Sequence, residues 1–192
     1  SFDEKKSRQI YHINVTGTDT ILKVALKHKK RVVFVSTAST IGSPQKQPHI
    51  IDENTAFSFE QKNPYTHSKH IAEQHLSQYI KKGLDAVIVN PSTVYGRGDI
   101  HGTGALLYGL MEKYPIFIAP SGGCSVVAVH DVVAGIIAAL DKGIAGERYL
   151  LTAENITFHR LFTILRKLIK RSTLPVLIAP QFTGLIGVKA IH

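Results

Sequence analysis

The chain has 192 residues, 44% of them hydrophobic and 19% charged, enough for one compact domain with a sizeable core, which excludes disorder and low complexity. Lys and Arg number 23 against 14 Asp and Glu, a formal charge of +9 with ten histidines beside it, so anionic partners have to be considered. A single cysteine, Cys124, cannot close an internal disulfide; this excludes a disulfide-stapled secreted scaffold and points to a reducing, cytoplasmic setting. The opening SFDEKKSRQIYHIN lacks the apolar core of a signal peptide, and no apolar stretch reaches bilayer length, so neither a leader nor a spanning helix is expected. Met111 is the only methionine, and the expectation is a piece of a longer protein.

Ile10, Ile13, Gly17, Ile21 and Val24 recur at spacings of three and four, which predicts an amphipathic helix running to about His28. VVFV at 32–35 is too short for a helix and apolar on both faces, as a buried parallel strand is, and it ends in the hydroxyl cluster STASTIG. After a loop with Pro44 and Pro48, Asn63 and Pro64 read as cap and first residue of a helix over YTHSKHIAEQHLSQYIKK, with Gly83 past its end. DAVIVN at 85–90 is a second buried strand, stopped by Pro91 and followed by a Gly-rich loop through Gly104. A helix is expected at 105–113 and strands near 116–118 and 125–129, with a turn at Pro120, Gly122 and Gly123. Another helix is expected at 131–142, then a strand at ERYLL, and a helix capped by Thr157 that contains FHRLFTILRKLIKR. Alternating strands and helices imply an α/β fold with an open, mostly parallel sheet, whose ligands sit beyond the carboxyl ends of the strands.

Tyr65 and Lys69 stand four apart in the first turns of one helix, on one face. An ammonium beside a phenol favours the phenolate and lowers a pKa that is about 10 in model compounds. On spacing alone, an exposed Tyr and Lys on an ordinary helix is the simpler reading. Order and context change it: NVTGT at 14–18, VVFVSTASTIG, YTHSK, VNPSTVYGRGD, VAVHDVVAG and GERYLLTAENIT follow one another from Asn14 to Thr157. With these six pieces the chain resembles the extended short-chain dehydrogenase/reductase family, the NAD-dependent epimerase/dehydratase group.

The resemblance implies a Rossmann-like, doubly wound sheet over 1–157, substrate-side insertions near 97–125, and a cut-short substrate-side region over 158–192. It also implies an active-site hydroxyl at Thr37, five residues before Gly42, with Ser39 as a second candidate and Ser36 behind it, and with Tyr65 and Lys69 completing the catalytic set. A strand end satisfied by its own backbone is the alternative for the hydroxyls. The implied reaction is hydride transfer between NAD or NADP and a small carbonyl or hydroxyl substrate. Tyr65 would exchange the proton and Lys69 would hold the nicotinamide ribose, with Pro91, Ser92 and Thr93 at the nicotinamide end. A homodimer through the helices holding NVTGT and YTHSK is expected on the same ground.

Family members open with a strand, a G-x-x-G-x-x-G turn and a helix that receives the pyrophosphate. GTGA at 102–105 and GSPQ at 42–45 do not match it. Either the chain is a fragment of an enzyme or it is a shortened relative that acts as a noncatalytic binding module; missing flanking strands would leave VVFV with an open apolar edge. Nucleotide-sugar enzymes commonly carry an Arg where SGGCSVVAVHD has Cys124, so the segment looks more like dihydroflavonol reductase-like members and the sugar-epimerase-like proteins grouped with them; a sugar or nucleotide-sugar epimerase or dehydratase using the same hydride chemistry is the alternative. His130 and Asp131 read as a helix start. His67, His70, Glu73 and His75 lack any zinc-helix spacing and read as polar helix-face residues, so no metal site is expected. The basic clusters 27–31 and 166–171 lack interleaved aromatics and read as solvated surface, so neither nucleic acid nor membrane is expected as a partner. The sequons at Asn14 and Asn155 follow no secretory signal and are expected to stay unmodified.

Overall fold

The computed structural model describes residues 2–41, 51–57, 63–100, 102–114, 117–169 and 176–178. Gly42, the loop with Pro44 and Pro48, Ile116, Arg171 and the segment beyond 178 lie outside them. In chain order the elements are α1 (Phe2–Tyr11), a π-helical turn (His12–Gly17), α2 (Thr18–Lys27), β1 (Val32–Val35), a 3-10 turn (Ala38–Thr40), α3 (Pro64–Lys81), β2 (Ala86–Pro91), β3 (Thr93–Tyr95), α4 (Thr103–Lys113), β4 (Phe117–Ala119), β5 (Gly123–Ala128), α5 (Val129–Lys142), β6 (Arg148–Leu151), β7 (Glu154–Thr157), α6 (Phe158–Leu168) and β8 (Val176–Ile178). They form two units, Ser1–Ser92 with His130–Leu151, and Thr93–Val129 with Thr152–His192.

The first unit is a three-stranded parallel sheet in the order β1-β2-β6. Alternate residues of β2 point to opposite faces. Ala86 and Ile88 join Leu22, Ala25, Leu76, Tyr79 and Leu84 under α2 and α3, whereas Val87 and Val89 pack with Ala139 of α5 and with Val33, Ile136, Tyr149 and Leu151. Covering on both faces is why β2 is buried along its whole length and why DAVIVN is continuously apolar up to Asn90. The doubly wound, Rossmann-like arrangement is the one expected. β1 is an edge strand among the described residues.

The expected long first helix is divided: the π-helical turn at HINVTG separates α1 from α2. Asn14, in that turn, donates from Nδ2 to Ser68 Oγ at 2.9 Å. α3 starts and stops where its cap residues place it. Asn63 Oδ1 accepts the Tyr65 N–H at 2.9 Å, Pro64 opens the helix, and Gly83, at φ +94°, takes the left-handed conformation that ends it. Arg31, expected to be solvated, instead pairs with Asp85 at 2.7 Å and donates to the Ala139 carbonyl at 3.0 Å and to that of Gly143, where the carbonyl end of α5 attracts a cation.

In the second unit β3 runs parallel to β5, β5 antiparallel to β7, and β4 parallel to β8. Met111, Ala119, Ile156, Leu161 and Phe162 are its core. β3 and β7 have no counterpart in the sequence-based expectations, because three or four residues acquire strand character only by pairing with β5. β7 lies in the second unit, paired with β5. β5 begins at Gly123, two residues early, where a Cβ would run into the Ile156 carbonyl oxygen. Arg166 corrects a second surface expectation: it falls on the stripe of Leu161, Phe162, Leu165 and Ile169 and is 2% exposed. His130 and Asp131 do start α5, paired at 3.3 Å and largely exposed. No helix among the described residues is long and apolar enough to cross a membrane.

Leu76 is fully buried between α3, α2 and the sheet. Leu76→Ala is expected to destabilise the chain by about 2–5 kcal/mol, read as a lower midpoint in urea denaturation at an unchanged slope.

Candidate active site

The carboxyl ends of β1 and β2 lie side by side, with Ser36 N–H bonded to the Val89 carbonyl at 2.8 Å. Beyond β1, Thr37 is extended (φ −150°, ψ 148°) and caps the 3-10 turn, its Oγ1 receiving Ser39 N–H at 3.3 Å and lying 3.4 Å from Ser39 Oγ. Tyr65, in the first turn of α3, lies near enough to this turn for the Thr37 hydroxyl to act on its phenol. Lys69, one helical turn on, donates from Nζ to the Val35 carbonyl at 2.9 Å and lies 5.1 Å from the centroid of the Phe34 ring. Thr37, Tyr65 and Lys69 are thus brought together from segments about thirty residues apart. Ser39 is exposed beside them, while Ser36 is buried and turned away from solvent.

The electrostatics correct one expectation. Burial pushes the Tyr65 phenol above its ordinary range, and the Thr37 hydrogen bond opposes this without reversing it. Burial lowers the Lys69 pKa, with Glu73 pulling the other way. Tyr65 remains 44% exposed.

Pro91 ends β2 in register with Leu151, and Ser92 N–H bonds to the Leu151 carbonyl at 3.0 Å. Ser92 Oγ and Ser36 Oγ are buried without a hydrogen-bond partner among the described residues. Buried polar groups ordinarily have partners, so hydroxyls left open at adjoining strand ends suit a polar ligand. Thr93 opens β3 in the second unit, where burial pushes the Cys124 thiol up and the Thr93 hydroxyl opposes the shift. Cys124 is a free thiol.

The helix-face histidines are engaged locally. His67 Nδ1 meets the Tyr11 hydroxyl at 2.5 Å, His70 stacks on Phe57 at 3.9 Å and bonds Gln74, and His75 lies 3.6 Å from Asp19. Glu73 is the exception to that surface reading: it is 5% exposed. Its Oε1 accepts from Thr40 Oγ1 at 2.7 Å and Asn90 Nδ2 at 3.0 Å, and its Oε2 from Arg148 Nη2 at 2.9 Å. The sequence carried a signal for it, since Tyr65, Lys69 and Glu73 repeat every four residues on one helix face. Nothing in the sequence pointed to Thr40, Asn90 or Arg148 as its partners.

A parallel sheet covered on both faces, with hydroxyl, phenol and ammonium at its carboxyl edge, defines a Rossmann-like protein. The chain belongs to the NAD dependent epimerase/dehydratase family, whose model matches residues 2–151. It is 33% identical over 189 residues to a candidate dihydroflavonol 4-reductase of Synechocystis sp., covering 94% of this chain and 52% of that one. It is 30% identical over 165 residues to sterol demethylase protein B of Methylococcus capsulatus, covering 84% and 49% respectively. The chain therefore spans about half the length of the curated relatives it matches. The crystal structure of gox2253 is similar with a TM-score of 0.82 and 29% identity, over 96% of this chain and 57% of that one. UDP-glucose 4-epimerase of Thermotoga maritima, solved with UDP-glucose, is similar in fold at a TM-score of 0.77 and 22% identity, over 94% and 60%.

A phenol whose pKa is raised in the folded chain contributes stability that is complete below the ordinary tyrosine pKa, about 10, and that is lost as pH rises through the folded value. Tyr65→Phe is expected to lessen the alkaline loss of stability. Denaturation curves collected at a series of pH values above neutrality check it; identical alkaline slopes in parent and variant contradict it.

Proposed function

We propose that this chain carries the acid/base part of an NAD(P)-dependent oxidoreductase of the extended short-chain type, reductase-like, acting on a small carbonyl or hydroxyl compound. The observation that carries the reading is the exposed Tyr65, its phenol within reach of the Thr37 hydroxyl and one helical turn from Lys69, at the carboxyl end of a parallel strand. The relationship to a candidate dihydroflavonol 4-reductase and the absence of an arginine at Cys124 and its neighbours support reductase over nucleotide-sugar chemistry.

Nicotinamide, when bound, gives or takes the hydride. The side chains of this chain handle the proton and the positioning. A phenol kept protonated by burial is a general acid, and Tyr65 donates its O–H proton to the oxygen of a carbonyl being reduced. Thr37, whose hydroxyl rotor serves either Ser39 or Tyr65, orients that oxygen and then donates to the phenolate. Ser39 shares the orienting role. Lys69 uses one N–H on the Val35 carbonyl, which leaves two for ribose hydroxyls and a positive charge near the phenolate. Pro91, Ser92 and Thr93 would face the nicotinamide end, with the open Ser92 hydroxyl available to it. The residues present account for that end of the cofactor alone, because the sequence has no G-x-x-G-x-x-G turn for the pyrophosphate.

A homodimer and a reducing, cytoplasmic setting belong to the same proposal. Ile21 and Val24, exposed 63% and 53% on one face of α2, support the dimer. Sedimentation velocity of the chain and of Ile21→Lys checks it: the parent is expected at twice the mass of the variant.

In the full-length protein, Tyr65→Phe is expected to lower turnover about 100- to 10,000-fold, while NADH and NADPH affinities from nicotinamide fluorescence stay nearly unchanged. The assay follows nicotinamide absorbance with aldehydes and ketones in parallel with nucleotide sugars. Turnover unaffected by the substitution, or confined to nucleotide sugars, overturns the reading.

A further inference from the structure

The face of α3 that presents Tyr65 and Lys69 continues to Glu73, and the backbone that carries Thr37 is fastened to all three. Lys69 Nζ holds the Val35 carbonyl, the Tyr65 phenol meets the Thr37 hydroxyl, and Glu73 Oε1 accepts from Thr40 Oγ1 at 2.7 Å. Six residues of chain, Val35 to Thr40, therefore lie along α3 with an attachment near each end and one in the middle. From the sheet side, Asn90 Nδ2 is 3.0 Å from the Thr37 carbonyl, from Thr40 Oγ1 and from Glu73 Oε1, so β2 grips the same turn and the same carboxylate. Arg148 at the start of β6 completes the set at 2.9 Å.

Glu73 cannot reach a reactant itself, since it is 5% exposed and both its oxygens are engaged. All three of its partners are placed to donate to it. What this arrangement controls is the place of the turn. Thr37 has no other side-chain anchor than Tyr65 and the exposed Ser39 among the described residues, and its carbonyl accepts from Asn90 Nδ2 and from the Thr40 backbone N–H.

We propose that Glu73 is a positioning residue for proton transfer: acting through Thr40 and Asn90, and paired with Arg148, it holds the Thr37 turn against Tyr65. The inference rests on the acid/base role assigned to Tyr65 above. It separates two things that a catalytic triple alone would merge, the groups that touch the reactant and the buried carboxylate that sets their spacing.

The test uses the full-length protein labelled with 13C at the tyrosine ring carbon bearing the hydroxyl, with the Tyr65 resonance assigned by its loss in Tyr65→Phe. Thr40→Val severs the turn from Glu73 at nearly constant volume and leaves the Glu73–Arg148 pair in place. Tyr65 is expected to titrate at higher pH in Thr40→Val, because Thr37 is no longer held to donate to the phenolate, and the same displacement is expected to vanish in a Thr37→Val background. Glu73→Gln, which keeps an acceptor for Thr40, is expected to stay closer to the parent than Glu73→Ala. Turnover in Thr40→Val should fall roughly 3- to 10-fold, the worth of one hydrogen bond, at unchanged NADH and NADPH affinity. A Tyr65 titration that is the same in Thr40→Val as in the parent, or that moves equally with and without Thr37, overturns the inference. Loss of the oxidoreductase reading looks different, because the parent itself would then show no turnover while the titration still reports on the turn.

Discussion

A carboxylate buried to within 5% of its surface has to be matched by donors on every side, and the first unit is arranged around meeting that demand at Glu73. The donors come from the turn after β1, from β2 and from β6, so one side chain on α3 ties together four segments that are distant in sequence. Burying an ion pair adds little net stability over a well-packed apolar alternative, whereas leaving one partner alone costs about 3–5 kcal/mol. The consequence is specificity of arrangement: Glu73, Thr40 and Asn90 Nδ2 engage one another in this setting of the turn.

The parallel sheet supplies the frame for that arrangement. With both faces of β2 covered by helices, polar groups are tolerated only where the strands end, and there Asn90, Ser36 and Ser92 appear in adjoining positions. Catalytic chemistry at the carboxyl edge of such a sheet follows from the same packing rule that makes the strands apolar. The helix α3 then contributes its period. A repeat of four residues sets phenol, ammonium and carboxylate in a row, in order of decreasing exposure to solvent, and the row runs from solvent to core.

Much of the first unit could be read from the chain. Asn63, Pro64 and Gly83 mark α3 because caps are local chemistry, and VVFV and DAVIVN read as buried strands because a doubly covered strand has to be apolar throughout. Thr37, Tyr65 and Lys69 were accessible through the order of their motifs, and the structure brings them together. The electrostatics were not: the spacing of Tyr65 and Lys69 suggests a lowered phenol pKa, and burial moves it upward instead. In the second unit, β3 and β7 escaped notice, since strands of three or four residues take their character from the partner strand. Arg31 and Arg166 read as surface cations, yet one is gripped by the carbonyl end of α5 and the other lies on the apolar stripe of α6.

By itself the sequence determined the elements whose causes are local: caps, apolar runs, the four-residue repeat on α3, and the motif order that places the chain in its family. Only the tertiary structure decided which polar residues are interior. Glu73 looks like its neighbours His67, His70 and His75 on paper, and the difference between a solvated face and a buried hub arises from what packs above it. Hydrogen-bond partners such as Thr40, Asn90 and Arg148 lie 17 to 75 residues away in the chain, and no periodicity encodes a contact that depends on the pairing of β2 with β6 and the path of one short turn.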